Sequence, residues 1–204
     1  MNLAIASCSN FEGGYFNAYE QISRLDSLDA VLFMGDYIYE LERGRYGQGF
    51  ASRQNMPANE LVTLEDYRTR YAQYRTDYQL QLAHKWQPFI LVWDDHEIVN
   101  NAWKTGGQNH QEETQGNYQA RKENAIQAFY EWMPVRKPQG HLLYRSFSIG
   151  SLVNIIMLDT RLEGRQEQIY NIDSPNVYLP NRTMLGETQL AWFKEQLSKP
   201  FKWR

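Results

Sequence analysis

One apolar segment that leads into a cluster of ionisable side chains constrains the fold of this chain more than any other feature. Residues 89–101 read FILVWDDHEIVNN, so an apolar run ends at Asp94, Asp95, His96 and Glu97. A short apolar run of this kind is typical of a buried strand in a parallel sheet. Ligands of open α/β sheets bind beyond the carboxyl ends of the strands. The pattern therefore predicts an α/β domain with its chemistry at this strand end.

Three other apolar segments end in the same way. The residues that follow them are Cys8 after 3–6, Asp36 after 29–34, and Asp159 with Arg161 after 152–158. Each of these residues alone also has a structural interpretation, because a free Cys packs as a small hydrophobe and an Asp often caps a helix. A parallel sheet would bring all four strand ends to one edge. Together they predict a shared site.

The rest of the chain shows helical periodicity interrupted by polar segments. Helices are predicted over 15–25, from Thr63 through His84, over 118–133 and from Thr183 onwards. A further strand is predicted over 142–147, and long loops over 44–59, 102–116 and 163–181. Alternating helices and strands without repeats or linkers favour a single α/β domain.

Composition excludes several classes of protein. With 42% hydrophobic residues the chain can bury a real core, and its net charge of −3 disfavours polymeric nucleic acid as the main partner. A small phosphorylated ligand remains compatible with that charge. The single Cys forms no internal disulfide, and no apolar run reaches the length of a membrane span. The first residues lack a signal-peptide pattern, and the sequence does not predict the localisation or the oligomeric state.

The side chains at the strand ends suit metal ions. Carboxylate oxygens prefer Ca²⁺, Mg²⁺ or Mn²⁺, whereas thiolate, phenolate and imidazole groups prefer iron or zinc. A mixed set predicts two different metals that share a bridging carboxylate. Such a pair clamps the oxygens of a phosphoryl group and lowers the pKa of a bound water, and a nearby Arg or His would stabilise the charge that develops.

Several motifs resemble those of the PhoD-like alkaline phosphatases, a family within the metallophosphatase superfamily. They are ASCS (6–9), MGDYIYE (34–40), TLEDYR (63–68), WDDHE with NN (93–97, 100–101), LDTR (158–161) and TMLG with Gln189 and Trp192. They occur in the order of the family and cover essentially the whole chain, and GDYIYE with WDDHE is the specific part. The resemblance implies an αββα sandwich with two packed mixed sheets. It also implies hydrolysis of small phosphate monoesters or diesters with Fe³⁺ and Ca²⁺, for which Zn²⁺, Mn²⁺ or Mg²⁺ can substitute.

The same resemblance implies a set of metal ligands. Cys8, Asp36 and Tyr39 would hold the iron, and Asp36 would bridge to the calcium. Asp95 would bind the calcium. Either Asn100 or Asn101 would add a ligand or a phosphate contact.

It also implies the groups that act on the substrate. His96 would protonate the leaving oxygen or stabilise the transition state, and Asp95 and Arg161 complete the catalytic set. Asp94, Glu97 and Arg161 are expected to support the ligands rather than to bind a metal directly.

The chain departs from the family pattern in its later part, because a Gly-Asp-x-His-like strand end that supplies further ligands is not found. We therefore interpret residues 1–204 as the N-terminal portion of one catalytic domain, incomplete at its C-terminal end, with weak or no activity when isolated. Family members are often exported and carry a preceding β-rich domain.

Two other functions compete with this one. The first is a non-catalytic fragment that binds a metal or a phosphorylated ligand without turnover. The second is a glycosidase that uses Asp94, Asp95 or Glu97. A glycosidase leaves Cys8 and Tyr39 without a role.

Overall fold

The computed structural model describes residues 1–47, 50–137, 139 and 143–203. Its strands are β1 Leu3–Ala6, β2 Ala30–Phe33, β3 Phe89–Leu91, β4 Arg145–Ile149 and β5 Val153–Met157. Its helices are α1 Asn17–Ser23, α2 Leu64–Tyr74, α3 Tyr78–Trp86, α4 Glu112–Gln115, α5 Tyr118–Trp132 and α6 Gly186–Ser198. Residues 48 and 49 of the predicted loop 44–59, residue 142 of the predicted strand 142–147 and residue 204 lie outside the described residues.

Three strands form a parallel sheet in the order β1-β2-β3. Ala6 lies opposite Phe33, and Phe33 lies opposite Leu91, so the three strands end at the same level. The pairing continues past their ends, since the N–H of Cys8 donates to the carbonyl of Gly35 at 3.0 Å. The predicted α/β architecture is confirmed, and the first three strand ends share one edge.

The fourth predicted strand end belongs to a different sheet. β4 and β5 pair antiparallel, with a turn at Gly150 between them. A short turn reverses the chain and allows only antiparallel pairing, because a parallel connection needs a long crossover. The prediction of four strand ends on one parallel sheet was therefore wrong. Within the described residues one sheet is parallel and the other antiparallel.

The helices differ from the predicted ones in two places. The segment from Thr63 to His84 forms two helices, because Asp77 accepts a hydrogen bond from the N–H of Leu80 at 3.1 Å and starts α3. Within the predicted loop 102–116, residues Glu112–Gln115 form the short helix α4. The capping pair of Thr63 and Asp66 at the start of α2 is confirmed.

The core lies between the parallel sheet and the helices around it. α1 packs against α3, and α2 packs against α5. Tyr67, Tyr71 and Tyr74 of α2 are fully buried, together with Phe33 of β2 and Leu91 of β3. This packing holds the ends of β2 and β3 firmly beneath the polar cluster that follows them. Each helix in the described part of the chain is too short or too polar to span a membrane.

Candidate metal centre and active site

Three of the candidate residues have an unusual backbone conformation. Cys8, Asp36 and Asn101 have φ angles of +60°, +56° and +50°, and they are the non-glycine residues of the described chain with positive φ. This left-handed region is disfavoured for residues with a Cβ, and such strain clusters at functional sites. The backbone at these three positions is held by its surroundings, which fixes the direction of each side chain.

Asp36 lies at the centre of the candidate site. Its Oδ2 is 3.5 Å from the Sγ of Cys8 and 3.5 Å from the Oη of Tyr39. Its Oδ1 accepts the backbone N–H of His96 at 3.3 Å. Burial raises the pKa of Asp36 to about 6, and the charge of Asp95 adds to the rise while that of His96 opposes it.

Asp36 also belongs to a second group of ligand atoms. One atom each from Asp36, Asp95 and His96 lies within 4.8 Å of the others, and all three residues are buried. Asp36 therefore joins a group that contains a thiol and a phenol to a group that contains a carboxylate and an imidazole. This position is compatible with the bridging role implied by the sequence, which stays a prediction.

Glu97 connects the ends of β2 and β3. Its carboxylate accepts backbone N–H groups from Asp36 at 3.1 Å, Tyr37 at 2.6 Å and Asp94 at 2.9 Å. The residue is buried, with 1% of its surface exposed. Since one carboxylate satisfies three N–H groups on two strands, Glu97 sets the spacing between Asp36 and the cluster that follows β3.

His96 is oriented by Glu40, a residue to which sequence reasoning assigned no role. The Nδ1 of His96 is 2.7 Å from Oε2 of Glu40, whose Oε1 accepts the N–H of Asn100 at 2.6 Å. Burial lowers the pKa of His96, but the hydrogen bond and the charge of Glu40 outweigh it and raise the pKa to about 9. Glu40 is fully buried. The one available signal was its position at the end of the GDYIYE motif.

The surroundings of Tyr39 and Cys8 favour the protonated forms of both side chains by raising their pKa values. Burial, followed by the charge of Asp36, strongly raises the pKa of Tyr39, and burial raises that of Cys8. A bound cation reverses this effect and favours the thiolate and phenolate forms. The carbonyl of Tyr39 accepts a hydrogen bond from the buried guanidinium of Arg70 on α2, and the Tyr39 ring lies 4.3 Å from that of His96.

Arg161 reaches the cluster from the segment after β5. Its Nε and Nη2 donate to the two carboxylate oxygens of Asp94 at 2.5 and 3.1 Å, and its Nη2 lies 3.2 Å from Oδ1 of Asp95. Its third nitrogen, Nη1, is buried and has no hydrogen-bond partner in the described part of the chain. A guanidinium nitrogen left free beside a candidate metal-binding cluster is suited to an anionic ligand.

The position of Arg161 depends on α6. Asp159 accepts the N–H of Arg161 at 2.9 Å and that of Leu162 at 2.8 Å. The side chain of Gln189 on α6 in turn accepts the N–H of Asp159 and donates to its carbonyl, both at 2.8 Å. Gln189 is fully buried, so α6 holds the turn from which Arg161 projects.

The amides of Asn100 and Asn101 share one partner. Both side-chain nitrogens donate to Oε1 of Gln108, at 3.1 and 2.6 Å. The backbone N–H of Asn101 donates to Oδ2 of Asp95 at 2.5 Å. The amide oxygens are therefore the atoms through which either residue would bind a metal, whereas a phosphate contact would need a second N–H of the amide nitrogen. Gln108 lies in a polar loop, where nothing in the sequence marked it.

Comparisons with known proteins give a consistent result. The family model described as PhoD-like phosphatase matches residues 3–204. Alkaline phosphatase D of Bacillus subtilis (strain 168) is 39% identical over 207 aligned positions, which cover 97% of this chain and 35% of that protein. A solved structure of PhoD is 37% identical, with a TM-score of 0.87, and the match covers 98% of this chain and 40% of that one. The chain thus spans well under half the length of these relatives.

Proposed function

The chain belongs to the PhoD-like phosphatase family, and from this membership we propose that it hydrolyses small phosphate esters with water activated by two metal ions. The observation that carries the proposal is the convergence of four candidate ligand side chains, those of Cys8, Tyr39, Asp95 and His96, around Asp36. The relatives that show the family membership are much longer than this chain. The activity of the chain itself is therefore what we propose.

We assign the iron to Cys8, Asp36 and Tyr39, and the calcium to Asp36 and Asp95 with the amide oxygen of Asn100 or Asn101. The donor set supports this assignment, because a thiolate and a phenolate suit Fe³⁺ and oxygen ligands suit Ca²⁺. The 3.5 Å distances from Oδ2 of Asp36 to both Sγ of Cys8 and Oη of Tyr39 support it further.

The metals, when bound, supply hydroxide near neutral pH and neutralise charge on the phosphoryl oxygens. The side chains of the chain itself supply orientation and protons. Glu40 holds Nδ1 of His96, which leaves Nε2 as the nitrogen that donates a proton to the leaving oxygen. The free Nη1 of Arg161 is the donor that holds a phosphoryl oxygen.

The iron assignment is tested with two matched tyrosine variants. Tyr39→Phe removes the phenol that lies 3.5 Å from Asp36, whereas Tyr46→Phe removes the phenol of an adjacent ring, 5.9 Å from that of Tyr39. After loading with Fe³⁺ and Ca²⁺, wild type and Tyr46→Phe should show the visible absorption of an iron–phenolate bond. Tyr39→Phe should lose that band and bind iron at least about tenfold more weakly. Equal spectra for both variants would exclude Tyr39 as a ligand.

The activity is tested with p-nitrophenyl phosphate and bis-p-nitrophenyl phosphate on the same metal-loaded proteins. We expect weak but measurable hydrolysis of at least one ester, loss of that hydrolysis with a chelator, and its recovery when metal is added back. Metal binding without turnover of either ester would favour the non-catalytic alternative. Turnover that is indifferent to chelators would rule out the metal-dependent mechanism.

A further inference from the structure

The segment from Arg161 to Gln168 contains an unusual group of unpaired polar atoms. Nη1 of Arg161, Nε of Arg165 and Oε1 of Gln168 are all buried and have no hydrogen-bond partner in the described part of the chain. A buried polar group without a partner costs about 1–3 kcal/mol, and native proteins contain few of them. Two of the three, the guanidinium nitrogens of Arg161 and Arg165, are donors beside the candidate active site and indicate an anionic ligand that accepts from them.

This segment is fastened to the loop that follows His96. The N–H of Lys104 donates to the carbonyl of Arg165 at 2.9 Å. The side chain of Gln168 donates through Nε2 to the carbonyl of Asn101 at 3.2 Å. The unpaired atoms therefore lie beside the residues that follow the metal-ligand cluster.

On its other side the segment is packed against the start of α6. A Cβ on Gly164 would lie 2.2 Å from the backbone N of Gly186, so the two backbones are in direct contact. The N–H of Gln166 donates to the carbonyl of Thr183 at 3.1 Å. With contacts on both sides, the orphaned groups are presented by a fixed backbone rather than by a loose loop.

Arg165 carries a positive charge with no carboxylate partner. None of the ion pairs in the described chain includes it. Burial lowers the pKa of Arg165 and the charge of Arg161 lowers it further, while the charges of Asp94 and Asp95 oppose this.

A cavity adjoins Arg165. It has a volume of about 230 Å³ and is lined by Arg165, Gln166, Gln168, Arg182, Thr183 and Met184. A water molecule occupies about 30 Å³ of liquid, so the cavity has room for a phosphate or carboxylate group and several waters. The guanidinium groups of Arg165 and Arg182 in its wall favour an anion over a cation or an apolar group. The amide nitrogens of Gln166 and Gln168 already donate to backbone carbonyls and take no part in this preference.

We propose that Arg165 and this cavity form a second anion subsite, which binds a phosphate or carboxylate on the part of the substrate that is not attacked. The inference rests on the proposed function, in which Arg161 holds the attacked phosphoryl group. Arg161 and Arg165 would then bind two anionic groups of the same substrate molecule. Phosphate esters with a second negative charge are the preferred substrate class.

The test measures binding rather than turnover. Propylphosphonate carries one phosphonate and 1,3-propanediphosphonate carries two, and neither contains an ester bond to hydrolyse. We expect the metal-loaded wild type to bind the diphosphonate more tightly. Arg165→Gln should weaken diphosphonate binding about tenfold or more, as expected for the loss of a charge-assisted hydrogen bond, and should change propylphosphonate binding by less than about twofold.

Two control variants make the outcome specific. Arg24→Gln removes a positive charge from an exposed side chain that pairs with Glu20 on α1, and it should bind both ligands as the wild type does. Arg165→Lys keeps the charge and should retain part of the preference for the diphosphonate. If Arg165→Lys retains this preference, the loss of diphosphonate binding in Arg165→Gln is caused by the missing charge rather than by misfolding.

The remaining outcomes distinguish failure of the anion subsite from failure of the proposed function. Undiminished diphosphonate binding by Arg165→Gln overturns the subsite and leaves the proposed function intact. If Arg165→Gln weakens the binding of both phosphonates equally, Arg165 contacts the attacked phosphoryl group instead, and the second subsite is excluded. If the wild type binds neither phosphonate, both the subsite and the proposed function fail. If the wild type prefers the diphosphonate but hydrolyses neither ester, only the proposed function is refuted.

Discussion

The close approach of β2 and β3 at Gly35 can be tested by adding a single methyl group. Gly35 has a φ of +100°, and a Cβ built on it would lie 2.3 Å from the backbone N of Asp94 and 2.7 Å from the carbonyl carbon of Trp93. Both atoms belong to the backbone, so no side-chain rotation relieves the contact. Gly35→Ala must therefore separate the two strand ends that carry Asp36 and Asp94.

The expected cost has two parts. A residue with a Cβ in the left-handed region costs about 1–2 kcal/mol, and overpacking a tight contact costs about 1–3 kcal/mol more. The sum of about 2–5 kcal/mol is a large share of the free energy of unfolding of a typical domain, which is about 5–15 kcal/mol. Gly150, in the turn between β4 and β5, offers a control, because its φ is +52° and nothing lies within 4 Å of its Cβ position.

Chemical unfolding of the two variants separates the parts. Gly150→Ala should lose only the conformational part, so Gly35→Ala should be less stable than Gly150→Ala by about 1–3 kcal/mol. The gain from a stiffer unfolded chain is the same in both and cancels. Free energies of unfolding that agree within about 0.5 kcal/mol would refute the reasoning, since that is the scale of unfolded-state effects. Iron and calcium binding should weaken in Gly35→Ala and stay unchanged in Gly150→Ala.

Three further predictions follow from individual contacts. Glu40→Gln keeps the shape of the partner of His96 but removes its charge, so the pKa of His96 should fall from about 9 in an NMR titration of the metal-free protein, even though the charges of Asp95 and Asp36 continue to raise it; a pKa that stays near 9 would contradict this. Gln189→Leu leaves a buried N–H and a buried carbonyl unpaired and should lower the free energy of unfolding by about 2–6 kcal/mol in urea; a loss below about 1 kcal/mol would show that water replaces the amide. Arg68 lowers the pKa of Glu131 to about 2 through a hydrogen bond, so Arg68→Ala should raise that pKa towards 4.5 by NMR. Because the folded pKa is the lower one, this stabilisation is present above about pH 4.5 and disappears as the pH falls towards 2, where the variant and the wild type should become equally stable.

Much of the fold follows from short stretches of sequence. The apolar runs that became β2 and β3 are mostly buried, which is why they read as continuous rather than alternating. β1 was found from the same kind of run although it is less buried, with Ile5 74% exposed. The Thr63–Asp66 pair marks the start of α2 because a capping box involves only neighbouring residues. The sequence also brought Cys8, Asp36 and Asp95 to one place, since parallel strands of similar length end at one edge.

The supporting contacts of the site were not readable in this way. Glu40 and His96 are 56 residues apart, and Asp94 and Arg161 are 67 apart. The sequence does not show whether an acid such as Glu40 or Asp94 faces solvent, a metal or a buried histidine. Only packing of the segments against one another distinguishes these surroundings.

The sequence by itself thus determined the elements, the edge at which the chemistry lies and the kinds of ligand atom present there. The tertiary structure decided that β5 joins a separate antiparallel sheet, that Glu97 spaces two strand ends, and that α6 positions Arg161 through Gln189. The reason is physical. Hydrophobic periodicity and capping act between neighbours in the chain, whereas buried polar groups must find partners wherever the folded chain brings them.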